Sequence, residues 1–147
     1  MIPAFRRLTG CLPVGVHDAT WEEVSERLGD TPKRKMLLAG LRDACIAIRI
    51  AGGSHLYLDG SFVTNKRNPG DWDGCYSEVG INSSLLDPVL LDFSNKRAAQ
   101  QAKFKGEAFF ADDSAVSLGP PYLEFFQQEK NTGRKKGIVR LDLGTVS

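Results

Sequence analysis

The chain has 147 residues, with 19 basic and 18 acidic side chains and a formal net charge of +1. This length suits one domain able to bury about 70% of its unfolded surface, and the charge balance makes no demand for a long nucleic-acid partner. No apolar run approaches the ~20 residues of a membrane span, and MIPAFRRLTGCLP at the N-terminus lacks the apolar core of a signal peptide, so a cytoplasmic protein with no membrane partner is expected. Cys11, Cys45 and Cys75 are odd in number, widely spaced and without a C-x-x-C pair, which argues for reduced thiols over a disulfide framework or zinc site.

Residues 1–13 read as an irregular or edge segment ending at Pro13, and residues 1–31 as an N-terminal extension of a single 1–147 domain. Thr20 and Glu23 offer a capping box that opens a short helix to about Leu28, closed by Gly29. Thr31-Pro32 starts a longer helix to about Ile50, with proline at its first position and Leu37, Leu38, Leu41, Cys45 and Ile48 on one face. Ser54 to Leu58 is the first expected strand and Asp71 to Tyr76 the second, with Asn68-Pro-Gly70 breaking the chain before it. Pro88 to Phe104 reads as helix, Glu107 to Asp112 as a third strand and Pro121 to Gln128 as a short aromatic helix. Asn131-Thr-Gly133 reads as a turn, and Gly137 to Leu143 as a final alternating strand. Strands separated by helices predict an α/β (α+β) domain with a mixed sheet flanked by helices.

The stretch from Leu56 to Tyr76, LYLDGSFVTNKRNPGDWDGCY, carries the chemistry. A glycine lets backbone N–H groups approach phosphate oxygens and a following serine adds a hydroxyl, so Gly60 and Ser61 can hold a polyphosphate. Carboxylates at i and i+2 of a strand point to one side, so Asp71 and Asp73 can share a hard cation, while Trp72 faces the core. Lys66 and Arg67, between the two motifs, and Lys135 or Lys136 could reach a triphosphate, although exposed solubilising charge is the simpler role for each. His17 and His55 have no Ser or Cys partner and read as structural. Lys33-Arg-Lys35 and Arg134-Lys-Lys136 read as solvated basic runs, and Tyr122, Phe125 and Phe126 as core or interface.

Gly-Ser, a short loop and then Asp-x-Asp resembles the nucleotidyltransferase superfamily of DNA polymerase β-like enzymes, aminoglycoside nucleotidyltransferases and minimal nucleotidyltransferases. More narrowly, LPVGVHDAT, LDGSFVTNK, DWDGCY and GIVRLDL look like a bacterial and phage family of single-domain nucleotidyltransferase-like proteins. The resemblance implies nucleotide binding at Gly60, Ser61 and Lys66, and Mg²⁺ or Mn²⁺ held by Asp71 and Asp73. The substrate would be an NTP, whose NMP moves to a hydroxyl of a protein, tRNA or small molecule. A third catalytic and metal-binding carboxylate is also implied. Asp112 is favoured because it ends its strand, with Glu107 and Asp142 as alternatives. The other role the resemblance implies is a non-catalytic regulator or antitoxin-type partner in a toxin–antitoxin or phage-defence system.

Overall fold

Alternation of apolar and polar residues along five short segments builds the sheet. In the computed structural model, which describes residues 1–129 and 132–147, these segments are β1 (Gly15–Ala19), β2 (His55–Asp59), β3 (Trp72–Tyr76), β4 (Gly106–Phe110) and β5 (Gly137–Asp142). Their order is β1-β5-β2-β3-β4. The edge pairs β1·β5 and β3·β4 are parallel, and the central pairs β2·β5 and β2·β3 antiparallel. The fold is therefore α+β, with a mixed sheet flanked by helices.

One sheet face is apolar. Leu56, Leu58, Trp72, Tyr76, Ala108, Val139 and Leu141 are all buried there against α1 (Trp21–Leu28), α2 (Pro32–Ile50) and α3 (Ser94–Phe104). The expected α2 face is intact, with Leu37, Leu38, Leu41, Cys45 and Ile48 all buried. Thr31 caps α2 by accepting from the Arg34 N–H, and Thr20 caps α1 by accepting from the Glu23 N–H. Only half of the expected capping box forms, because the Glu23 carboxylate accepts instead from the Ile2 N–H at 3.2 Å. Trp72 closes the core by donating its indole N–H to the Phe104 carbonyl at 2.8 Å. Gly106 makes room for that ring, since a Cβ there would lie 2.3 Å from it.

The opposite face carries a smaller apolar cluster of Cys75, Ala111, Phe126 and Ile138, covered by the single-turn α4 (Tyr122–Phe125). Burial pushes the Cys75 thiol up to about 12, which makes it packing and not a nucleophile.

Two expectations need correction. The N-terminal segment contributes β1, whose partner β5 begins at Gly137, and it buries Ile2 and Leu12 in the main core. The expected helix from Pro88 to Phe104 is broken. Pro88–Leu91 is a 3-10 turn, the Asp92 carboxylate captures the N–H and hydroxyl of Ser94 at 3.0 and 2.6 Å, and Asn95, Lys96 and Arg97 take left-handed φ values of 50°, 55° and 62°. Side-chain capture of the backbone competes with helix formation at this point. Asn131 of the expected turn lies outside the described residues. Among the described residues no helix is long and apolar enough to cross a membrane.

Candidate functional site

Because Leu58, Gly74 and Ala108 face the core, their neighbours Asp59, Asp73 and Glu107 face the other way. The register pairs Asp59 with Asp73 across β2·β3 and Asp73 with Glu107 across β3·β4, so these carboxylates form one row across adjacent strands. Asp71, two residues before Asp73, joins them from just before β3. The row lines a cleft of about 770 Å³ that also takes in Gly60, Ser61 and Lys66.

The Gly-Ser turn and the Asp-x-Asp are in direct contact. Gly60 has φ 79° and ψ −171°, a region open essentially to glycine alone, and a Cβ there would sit 2.6 Å from the Asp73 Oδ2. Removing the side chain at position 60 is what lets the Asp73 carboxylate lie against the turn. Ser61 begins a 3-10 turn, Ser61–Val63, whose Phe62 and Val63 anchor in the core.

Arg34 holds the following loop. Read from sequence as part of a solvated basic run, it is in fact 2% exposed. One terminal nitrogen donates to the carbonyls of Leu28 and Phe62 at 3.1 and 2.6 Å, the other to those of Thr64 and Lys66 at 2.7 Å each. Its guanidinium also lies 5.4 Å from the Phe62 ring centroid. One side chain on α2 thus ties down Phe62, Thr64 and Lys66 just after the turn. Burial lowers its pKa from the usual value. No sequence signal marks it beyond its position three residues after the N-cap Thr31.

Protein cations and amides already engage the carboxylates. Lys136 Nζ lies 2.8 Å from Asp59 Oδ1. Arg97 Nε lies 3.2 Å from Glu107 Oε1. The Gln101 amide donates to Asp71 at 2.8 Å and to Glu107 at 3.0 Å. Sequence reading missed Asp59 as a cleft residue, although its position opposite Leu58 in the alternation marks it. Of Lys135 and Lys136, either of which could reach a triphosphate, Lys136 lines the cleft and Lys135 is exposed outside it.

The structure brings together Gly60, Ser61, Lys66, Asp71 and Asp73, with Lys66 exposed at the rim. Asp112 is not with them. It is exposed in the turn after β4, which ends at Phe110, and Glu107 takes the inward position beside Asp73. Asp142 sits at the far end of β5, opposite His55, and accepts from the Gly144 N–H at 2.9 Å. His17 Nε2 contacts the Pro13 carbonyl at 2.6 Å and His55 Nδ1 the Ser54 hydroxyl at 3.1 Å, in keeping with structural roles for both.

Among the described residues no three His, Cys, Asp or Glu side chains are arranged to hold a metal ion by themselves. The oxygen donors on the shared face nevertheless suit Mg²⁺ or Mn²⁺. Mg²⁺ keeps several waters and takes one or two carboxylates plus substrate phosphates in place of an all-protein cage. Asp71 and Asp73 beside the open Gly60 turn offer that arrangement.

The chain belongs to a family of unknown function, DUF6932, which matches residues 3–142. No curated protein and no solved structure matches it.

Proposed function

We propose that the protein is a metal-dependent nucleotidyltransferase, moving an NMP from an NTP onto a hydroxyl of a protein, tRNA or small molecule. The observation that carries this reading is the contact between Gly60 and Asp73, which joins the Gly-Ser turn to a row of carboxylates in one cleft. Gly60 and Ser61 would grip the triphosphate with backbone N–H groups and a hydroxyl, and Lys66 would reach it from the rim. Asp71 and Asp73 would hold Mg²⁺ or Mn²⁺, which when bound supplies neutralisation of charge on the phosphates and on departing pyrophosphate. Glu107 would take the place expected of Asp112 and accept the proton of the acceptor hydroxyl. The acceptor oxygen then bonds to the α-phosphorus as the bond to the pyrophosphate oxygen breaks.

A second reading, a non-catalytic nucleotidyltransferase-like regulator or antitoxin-type partner, is favoured by the pairing of Asp59 with Lys136 and of Glu107 with Arg97. Those cations stand where a transferase would want free carboxylates. Incubating the protein with labelled triphosphates, Mg²⁺ or Mn²⁺ and a lysate separates the two. Transfer of label that falls about a thousandfold in Asp73→Ala, a loss of ~4 kcal/mol of transition-state stabilisation, supports catalysis. Transfer by Asp73→Ala at the parental rate refutes it. A parent that binds metal–triphosphate and transfers nothing supports the regulator.

A further inference from the structure

Next to the carboxylate cleft, and sharing Arg97, Phe109 and Tyr122 with it, lies a second cavity of about 330 Å³ that also takes in Phe93, Asp113 and Ser114. Three of its rings are near-parallel. Phe109 and Tyr122 have centroids 4.3 Å apart at 16°, and Phe93 and Phe109 6.0 Å apart at 12°. Phe93, 40% exposed, is the open end of this series, and Arg97 lies 5.5 Å from the Phe109 centroid. The left-handed run Asn95 to Arg97 carries Arg97 onto that ring, a conformation that costs non-glycine residues energy and is held only when its surroundings insist.

Position links this cavity to the cleft. Phe109, on which Phe93 stacks at 6.0 Å, is two residues beyond Glu107 on the same face of β4, about 6.5–7 Å along the strand, which puts the Phe93 platform within a nucleotide's length of the cleft. The rim carries a carboxylate, Asp113, whose side-chain oxygens make no hydrogen bond or ion pair among the described residues while its backbone bonds to Phe110 and Tyr122, whereas the Ser114 hydroxyl is committed to the Gly119 carbonyl at 2.9 Å. A carboxylate accepts two parallel N–H bonds from the N1–H and 2-amino edge of guanine. Adenine, cytosine and uracil offer no such adjacent pair of donors on one edge.

We propose that this aromatic cavity is a nucleobase site that prefers guanine, with Phe93 as the stacking platform and Asp113 reading the base edge. The inference deepens the reading of the neighbouring cleft as a triphosphate site and rests on it for the position of the ribose.

Calorimetry on the full chain with Mg²⁺ tests it, using GTP, ATP, UTP, CTP, inorganic tripolyphosphate and phosphate-free guanosine at millimolar concentration. GTP should bind about tenfold more tightly than the other nucleotides, the discrimination expected of one bidentate contact. Asp113→Asn should bring GTP to within about twofold of ATP and leave tripolyphosphate unchanged. Phe93→Ala should weaken all the nucleotides about tenfold, again without effect on tripolyphosphate. Asp113 is exposed and Phe93 40% exposed, and unchanged tripolyphosphate binding is the check that each variant is folded. Equal affinity for the nucleotides and tripolyphosphate, or preference for another base, overturns the proposal. Failure of tripolyphosphate to bind while guanosine binds and responds to Asp113→Asn refutes the phosphate cleft alone. Failure of guanosine to bind while tripolyphosphate binds, with nucleotides no tighter, refutes the base site alone.

Discussion

Replacing Arg34 with methionine removes the clamp on the loop after the Gly-Ser turn, and the cost can be worked from its partners. Four carbonyls accept from the guanidinium, and methionine fills similar space without a donor. Thr64 and Lys66 are half-buried and exposed, so water can take over at their carbonyls, but Leu28 and Phe62 are buried. Hydrogen bonds to a charged group contribute about 1.5–3 kcal/mol each, so the two buried partners alone give roughly 3–6 kcal/mol. Relief of the cost of burying a charge offsets part of this, leaving a net loss of about 2–5 kcal/mol. For a domain of this size that lowers the melting temperature by roughly 4–20 °C. Thermal and urea melts of Arg34→Met measure it, and Arg34→Lys, which keeps the charge but cannot span both pairs of carbonyls, should recover only part of the loss. A melting temperature for Arg34→Met within a degree or two of the parent would refute the clamp.

Gly60→Ala puts a Cβ against the Asp73 carboxylate at a backbone geometry that costs a non-glycine residue about 1–3 kcal/mol. It should both destabilise the protein by that amount and weaken Mg²⁺–tripolyphosphate binding, and an unchanged melt with unchanged binding would contradict the contact. Asp87, hydrogen-bonded by Lys103 and by the Val89 N–H, has its pKa held below the usual carboxylate value. The stability it contributes is therefore present above about pH 4 and lost as pH falls through its lowered folded value. Asp87→Asn should cost about 0.5–1 kcal/mol at pH 7, kept small because Lys103 is half exposed, and the difference from the parent should close in urea titrations as pH falls through that lowered value.

Local rules were enough for part of this fold. α2 starts at Pro32 and ends at Ile50 because its signals, an N-cap threonine, a following proline and one apolar face, all lie within the helix. β1 escaped notice because Gly15–Ala19 is short, and its strand neighbour among the described residues starts at Gly137, a parallel edge pairing that no nearby turn announces. The same distinction runs through the site. Gly60, Ser61, Asp71 and Asp73 lie close together in sequence and meet in one cleft. Glu107 displaces Asp112 from the cleft because β4 stops at Phe110, and strand ends are set by tertiary pairing. Arg34 looked like surface charge between two lysines. It is buried because a loop some thirty residues away supplies carbonyls for it, and only the folded chain shows that loop.

The charges in the cleft bear on how a ligand would enter it. Lys136 pairs with Asp59 and Arg97 with Glu107, while the neutral Gln101 amide donates to Asp71 and Glu107 without cancelling their charge. A bare triphosphate would meet a row of carboxylates whose cations are already engaged, and its own negative charge would be repelled. A triphosphate carrying a divalent cation changes the balance, because the cation adds positive charge beside Asp71 and Asp73 while Lys136 and Arg97 can turn from carboxylate to phosphate oxygens. On the proposed reading, each exchange replaces one charge-assisted contact by another, so little is lost in opening the internal pairs. Metal and nucleotide then favour each other's binding by the same factor, as linkage requires. The ion pairs that suit a non-catalytic module are equally those of a resting site whose cations await a phosphate, so movement of Lys136 and Arg97 on loading reports binding, and transfer of label is what separates the two.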